Sequence, residues 1–314
     1  MVAPAGPTNY YCNVDLALAT CCSLPEPDVD QPLLSEALAQ AGIDARVLAW
    51  DDPRAPFADA RLTVLRSTWN YPLCAMEFLA WVDARGPQIL NPGPVVRWNA
   101  HKGYLKDLAT DGLRTVPTIY LPRKPNPLRQ QGPAPEAGAI TKPASTLARL
   151  FEQANVEQLV VKPAVSAGSF ATRRIHRSKT SAHEAWLAHM LGARDMMAQP
   201  YVRSVESHGE RAIVSIAGEL THAVRKEPRF SGGHEHVSAA LPVADDERRF
   251  AAQALGLAQA RFPEVPLLYG RVDVARDQGG ELMLMELELI EPSLFFAQCP
   301  EALRLFVQAL KARL

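Results

Sequence analysis

Short apolar runs alternate with amphipathic stretches through the first third of the chain. Residues 15–22, 46–50 and 62–68 are strand-length runs rich in Leu, Val and Ala. Between the first two, residues 31–41 place Leu33, Leu34, Ala37 and Leu38 at helical spacing and stop at Gly42, which makes a left-handed cap easily. A second helical stretch at 78–84, a turn at Asn91-Pro92-Gly93-Pro94, and a helix over 101–108 that fades at Asp111-Gly112 complete this block. Strands separated by helices predict βα units and a parallel sheet. From 121 to 143 the run LPRKPNPLRQQGPAPEAGAITKP is so rich in Pro, Gly and Gln that it predicts a long mobile loop.

Beyond that break the pattern favours strands in pairs. Residues 158–163, 172–176 and 196–202 read as strands, with a helix over 182–191. Residues 211–216 and 219–224 flank Ala217-Gly218, which has the spacing of a tight hairpin. An alanine-rich helix over 245–260 precedes a second pair of strands, 269–275 and 282–288, around residues 277–280, and a last helix covers 300–314. No internal repeat is visible.

Composition narrows the function classes. With 314 residues and 47% hydrophobic positions the chain is large enough for about two domains with cores, which excludes a disordered or fibrous protein. Thirty-three Lys and Arg against 34 Asp and Glu leave no basic field, so nucleic acid is not expected as a partner. The five cysteines are scattered without a CxxC pair, which predicts neither a disulfide framework nor a zinc site and fits a reducing cytoplasm. No basic-then-apolar leader and no run of ~18 apolar residues occurs, so no membrane partner and a cytoplasmic location are expected. A homo-oligomer is compatible with all of this.

Three stretches carry candidate chemistry. In residues 160–174, VVKPAVSAGSFATRR, a strand delivers Lys162 and a small-residue run, Ser166-Ala167-Gly168-Ser169, joins it to the next strand. Such a loop lets backbone N–H groups and hydroxyls approach phosphate oxygens, although an ordinary hairpin turn has the same look. In residues 271–292, alternation over 282–289 sets Glu286 and Glu288 on one face and Met283, Met285, Leu287 and Leu289 on the other. Asp273 on the neighbouring strand can complete an oxygen-ligand site for Mg²⁺. The competing reading is a solvent-facing polar edge, which the apolar flanks disfavour. The third stretch, residues 196–202 with Gln199, Tyr201 and Val202, can offer a strand end to an adenine edge, with Glu206 placed for ribose hydroxyls. Taken alone it also reads as a core strand leaving into a loop.

Arg66 and Trp69 fall at the carboxyl end of the third strand, where open α/β sheets place ligands, and Arg66 suits either a substrate carboxylate or a structural ion pair. His222, His234 and His236 are not spaced as a zinc site. Nothing near Cys74 would lower its pKa, so it is not a nucleophile.

In order and spacing, Lys102, Lys162, residues 166–169, Gln199 with Glu206, Arg271-Val272-Asp273 and Glu286-Leu287-Glu288 resemble the ATP-grasp superfamily of carboxylate ligases. The resemblance implies phosphate contacts for Lys102, Lys162, Ser166, Gly168 and Ser169, adenine contacts for residues 198–202, a ribose contact for Glu206, and Mg²⁺ ligation by Asp273, Glu286 and Glu288. It also implies Arg271 and Lys226 as catalytic residues, Arg271 over the transferred phosphoryl group. Many members carry Glu-x-Asn where this chain has Glu286-Leu287-Glu288. Five further motifs, Arg66-Ser67-Thr68-Trp69-Asn70-Tyr71, Arg97-Trp98-Asn99-Ala100-His101-Lys102, Lys162-Pro163-Ala164-Val165-Ser166-Ala167-Gly168, His222-Ala223-Val224 with Lys226, and Glu288-Leu289-Ile290-Glu291-Pro292-Ser293, resemble the ATP-grasp group that includes the O-ureido-serine cyclo-ligase of D-cycloserine biosynthesis. Three departures stand out: Asn70 in place of Asp, a longer loop at 121–143, and extra charge at Arg225-Lys226-Glu227.

The implied fold is α/β: an N-terminal parallel-sheet domain (1–115), a central lid subdomain (116–200) and a C-terminal subdomain (201–314), with ATP between the last two. The implied reaction is ATP-dependent phosphorylation of a small amino-acid-like carboxylate, followed by attack of a nitrogen from the same or a second molecule. The substrate is expected against Arg66, Trp69, His222 and Gly233. The alternatives are an intermolecular peptide or amide ligase and a nucleotide-binding protein without turnover.

Overall fold

The computed structural model describes residues 14–124, 145–227 and 236–314, so most of the expected 121–143 loop, together with Gly233 and His234, lies outside the described residues. Three four-stranded sheets follow one another along the chain. The first is all parallel, as the βα pattern predicts: β1 (Val14–Thr20) lies between β2 (Ala45–Ala49) and β3 (Ala60–Ser67), and β4 (Ile89–Leu90) extends the β3 side. Successive residues of β1 bury opposite faces. Leu16 and Leu18 pack on α1 (Gln31–Gln40) and on α8 (Pro300–Lys311), which returns from the far end of the chain. Ala17 and Ala19 pack with Phe78 and Val82 of α2 (Ala75–Arg85).

The Asn-Pro-Gly-Pro run, read as a turn, leads into a short helix, α3 (Gly93–Asn99), with proline in its first turn. Proline is tolerated there because that N–H has no helical partner. The next helix, α4 (Tyr104–Thr110), starts three residues later than the sequence pattern suggests.

The second sheet is antiparallel, with β5 (Ile119–Leu121), β8 (Met196–Pro200), β6 (Gln158–Pro163) and β7 (Arg173–His176) in that spatial order. One of its faces is covered by α5 (Thr146–Ala154) and α6 (Thr180–Ala193) through Leu147, Phe151, Leu187 and Leu191. The third sheet has the order β10 (Glu219–Lys226), β9 (Glu210–Ile216), β11 (Tyr269–Arg276) and β12 (Leu282–Glu288), also antiparallel. Its first hairpin turns through Ala217 and Gly218, with φ of 50° and 88°, the paired left-handed geometry of a type I′ turn.

The two faces of this third sheet have different fates. One packs Ile213, Ala223, Val272 and Leu284 on the alanines of α7 (Asp245–Arg261). On the other, Val214, Ile216, Val224 and Tyr269 join the core formed with α8 and the first sheet. The remainder of that second face carries Glu210, Lys226, Arg271, Asp273, Glu286 and Glu288. Among the described residues no helix is long and apolar enough to cross a membrane.

Candidate active site

The polar end of the third sheet closes one side of a cavity of about 740 Å³, walled opposite by the end of the second sheet and by the loop after β3. Strand β12 does not alternate as its sequence suggests. Asp273 pairs with Glu286 while Val274 pairs with Leu284, so Met285 is an extra residue in a β-bulge. Leu282, Leu284, Leu287 and Leu289 therefore share the α7 side. Met285 turns instead toward Tyr201, Val202, Val205 and Val160, and Met283, between Leu282 and Leu284, also faces away from α7, which corrects the placement of both methionines with Leu287 and Leu289. Glu286 and Glu288 both face the cavity.

β12 is an edge strand, and its outer backbone groups are met by polar side chains from α3 and α4. Asn99 donates from Nδ2 to the Leu287 carbonyl and accepts the Leu289 N–H, each at 2.8 Å, and the Leu287 N–H donates to the Tyr104 hydroxyl at 3.0 Å. Asn91, fully buried, donates to the carbonyls of Tyr269 and Leu289 at 2.9 and 2.8 Å and accepts the Leu268 N–H at 2.8 Å. These bonds satisfy a buried sheet edge and so fix where the carboxylates of β12 stand.

Four cations enter the cavity region. Lys102, only 4% exposed, reaches the Ser166 carbonyl and Glu286 Oε1, both at 2.7 Å, and Lys162 lies 3.9 Å from Glu286 Oε2. Arg271 donates to both oxygens of Asp273, at 2.9 and 3.0 Å, and also contacts Glu288. Lys226 bridges Glu210 and Asp273, 2.7 Å from each. Burial opposes charge on Asp273, but Arg271 and then Lys226 outweigh it and hold the carboxyl well below the usual range. Burial likewise opposes charge on Glu286, and Lys102 and Lys162 overcome it, leaving that carboxyl below the usual range too. Glu288 goes the other way: burial, reinforced by the negative charges of Asp273 and Glu286 and only partly offset by Arg271, pushes it up to about 7. Lys162 is lowered, chiefly by burial.

The turn between β6 and β7 contributes Ser166, Gly168 and Ser169 to the wall. Gly168, Ser169 and Ala171 all have left-handed φ, near 54°, 60° and 52°, so the chain folds back tightly there, and Phe170 is the one large side chain that the turn adds to the cavity wall. Gln199, Tyr201 and Val202 line the wall at the end of β8, where Gln199 donates to the Thr118 hydroxyl at 2.9 Å. Glu206 is not part of the wall. It is half exposed, accepts the Tyr201 hydroxyl at 2.9 Å and pairs with Arg174 at 2.7 Å.

Of the four residues expected against the substrate, Trp69 reaches the cavity and donates from Nε1 to the Glu291 carbonyl at 3.1 Å. Arg66 does not. It is 2% exposed, 3.6 Å from the equally buried Asp30, and donates to the Pro292 carbonyl at 3.3 Å. Asp30 in turn accepts the backbone N–H groups of Leu294, Phe295 and Phe296 at 2.8 to 3.0 Å, so this ion pair anchors the segment that follows β12. His222 is also misplaced by the sequence reading. A bulge after Leu220 sets it opposite Val214 on the packed face of the sheet, away from the cavity wall, and burial pushes it down to about 4, which keeps it neutral. Gly233 lies outside the described residues. Asn70 does line the cavity, but its amide is occupied, donating to Asp51 and accepting from the Trp50 indole, both at 2.7 Å.

Asn99, Tyr104, Met285 and Glu291 also line the cavity and had no role assigned from the sequence. Asn99 and Glu291 stood inside the family-like motifs, which was the one available signal. Among the described residues, no three His, Cys, Asp or Glu side chains gather as a metal-ligand cluster, since Lys and Arg side chains interleave with the carboxylates.

The three-sheet architecture, with the nucleotide-sized cavity between the second and third sheets, defines an ATP-grasp ligase. Residues 16–91 match the family described as the N-terminal domain of the D-cycloserine synthetase DcsG. Over 310 residues the chain is 33% identical to the cycloserine biosynthesis protein DcsG of Streptomyces lavendulae, covering 95% of this chain and 98% of that one. The crystal structure of D-cycloserine synthetase DcsG superposes with a TM-score of 0.80 at 33% identity, covering 95% and 99% of the two chains. This chain belongs to the DcsG family. The ATP-grasp ligase PsnB bound to its minimal precursor (14% identity, TM-score 0.61, 96% and 99% covered) and the D-alanine–D-alanine ligase of Bacillus anthracis complexed with ATP (10%, 0.62, 95% of each chain) share its fold. The chain is an ATP-using ligase.

Proposed function

We propose that this ligase transfers the γ-phosphoryl group of ATP to the carboxylate of a small amino-acid-like substrate, and that a nitrogen of the same molecule then displaces phosphate and closes a ring. The observation that carries this reading is the convergence of Lys102 and Lys162, from separate elements, on Glu286 beside the small-residue turn 166–169. Two buried ammonium groups next to exposed backbone suit a polyphosphate. Arg271 and Lys226 continue the positive wall toward the acid. Neutralising and positioning charge is most of what phosphoryl transfer requires, and no side chain need form a covalent bond. The adenine is assigned to the apolar corner made by Val160, Tyr201, Val202 and Met285.

The donor set fits Mg²⁺. Glu286 and Glu288 present hard oxygens to the cavity, and Asp273 lies directly across from Glu286 on the neighbouring strand. Asp273, now bonded to Arg271 and Lys226, would be the third residue to hold the ion. Bound there, Mg²⁺ would supply charge neutralisation for the phosphate oxygens. Ring closure is favoured over an intermolecular reaction by the likeness to the D-cycloserine synthetase along nearly the whole chain.

The test is ADP release by the purified protein with a panel of small amino acids, among them ureido-substituted serine. ADP formation with that compound alone, and a cyclic product by mass, is the expected result. A strict need for an added amine would turn the reading to an intermolecular ligase, and no ADP with any acid would overturn it.

A further inference from the structure

The buried and half-buried carboxylates on the strands at the polar end of the third sheet each have a cation beside them. Glu286 has Lys102 and Lys162, Glu288 has Arg271, and Glu210 has Lys226. Glu291 differs. It is 7% exposed, lines the same cavity, and its carboxyl has no hydrogen-bond or ion-pair partner among the described residues, although its backbone carbonyl is held by Trp69. A carboxyl taken out of water without a partner is costly, so its retention in a ligand cavity points to a partner brought by the ligand.

We propose that Glu291 receives the amino group of the substrate and thereby selects an α-amino acid over a plain carboxylic acid. The inference rests on the ligase reading above, and it assigns a polarity to the bound molecule. The carboxylate to be phosphorylated lies toward the cations Lys102, Lys162 and Arg271, and the ammonium toward Glu291 at the wall built by Trp69 and Tyr71. The Trp69 indole N–H, bonded to the Glu291 backbone carbonyl at 3.1 Å, holds Glu291 beside that wall, and Tyr71 lines the same cavity. Burial first, then the charges of Glu288 and Glu286 against the opposing pull of Lys102 and Arg271, push Glu291 up to about 8. An arriving ammonium reverses that push, so binding at neutral pH releases a proton.

The experiment is calorimetric titration of the protein, saturated with Mg²⁺ and a non-hydrolysable ATP analogue, with ureido-substituted serine and with the same molecule lacking its amino group. The expected result is at least tenfold tighter binding of the amino compound, with proton release seen as a buffer-dependent heat, and neither feature with the des-amino compound. Glu291→Gln removes the preference and the proton release and leaves affinity for the ATP analogue within twofold. Glu291→Asp, which keeps the charge at shorter reach, retains part of the preference and guards against a folding defect in the first variant. An unchanged preference in Glu291→Gln, or equal binding of the two compounds by the unaltered protein, overturns the proposal. Failure of the ligase reading shows separately, as absence of ADP release from the unaltered protein.

Discussion

At the residue scale, burial and pairing decide which charges are structural and which serve the cavity. Arg66 is the instructive case. Its position at the end of a strand is the same whether it grips a ligand or a buried Asp, and the partner, Asp30, is identified only by the folded chain. Arg66→Ala leaves Asp30 as an uncompensated buried charge and is expected to lower stability by about 3–5 kcal/mol in urea unfolding. A stable Arg66→Ala variant with only a raised KM for the acid would contradict this placement. Glu288→Gln preserves shape and removes a carboxylate facing the cavity. Turnover is expected to fall by at least about a hundredfold with the melting temperature nearly unchanged, and full activity would remove Glu288 from the ligand set. The pH dependence of stability has a definite sign. Because Glu291 is raised to about 8, the folded state holds a proton that the unfolded state has lost, so stability falls as pH rises from the usual carboxylate range toward 8. Glu291→Gln is expected to flatten that fall by up to ~1.4 kcal/mol per pH unit, measured as denaturant midpoints between pH 5 and 8.

At the scale of elements, strands were the most legible feature, and the bulge in β12 shows the limit. β6 and β12 coincide with the runs read from the sequence, because short apolar stretches bounded by turn residues leave few alternatives. The faces within β12 were only half legible. A period of two assigned Glu286 and Glu288 correctly to one side, but an inserted residue is invisible to a count of alternation, so Met285 was placed with the core. Met285→Ala is expected to raise KM for ATP about tenfold, from lost apolar contact, with little change in KM for the acid. Equal changes in both would move adenine elsewhere. α3 escaped notice because Pro-Gly-Pro signals a turn as readily as a first helical turn, and β4 because two residues carry no period. Yet Asn99, at the end of α3, holds the edge of the strand that bears both cavity glutamates.

At the scale of the whole molecule, the parallel first sheet was legible from its alternation of strands and helices, while the meeting of three sheets around one cavity was carried by family likeness rather than by any periodicity. Composition and spacing cannot show that Lys102, ahead of α4, and Lys162, on β6, point at the same glutamate of β12. At the tip of the turn 166–172, Gly168, Ser169 and Phe170 are exposed, and Phe170 stacks under Arg194 at 5.1 Å, while Arg194 donates to the Pro72 carbonyl at 3.5 Å. Nucleotide binding is expected to protect residues 162–172 from limited proteolysis, and identical digests with and without a non-hydrolysable analogue would argue against closure of this turn over phosphates. The central claim, phosphoryl transfer to the carboxylate, is tested most directly by isotope. Ureido-substituted serine labelled with ¹⁸O in its carboxylate is turned over with ATP, and the released phosphate is analysed by mass. The expected result is one labelled oxygen in each phosphate, because the acyl C–O bond breaks when nitrogen attacks. Unlabelled phosphate from a reaction that releases ADP would contradict it.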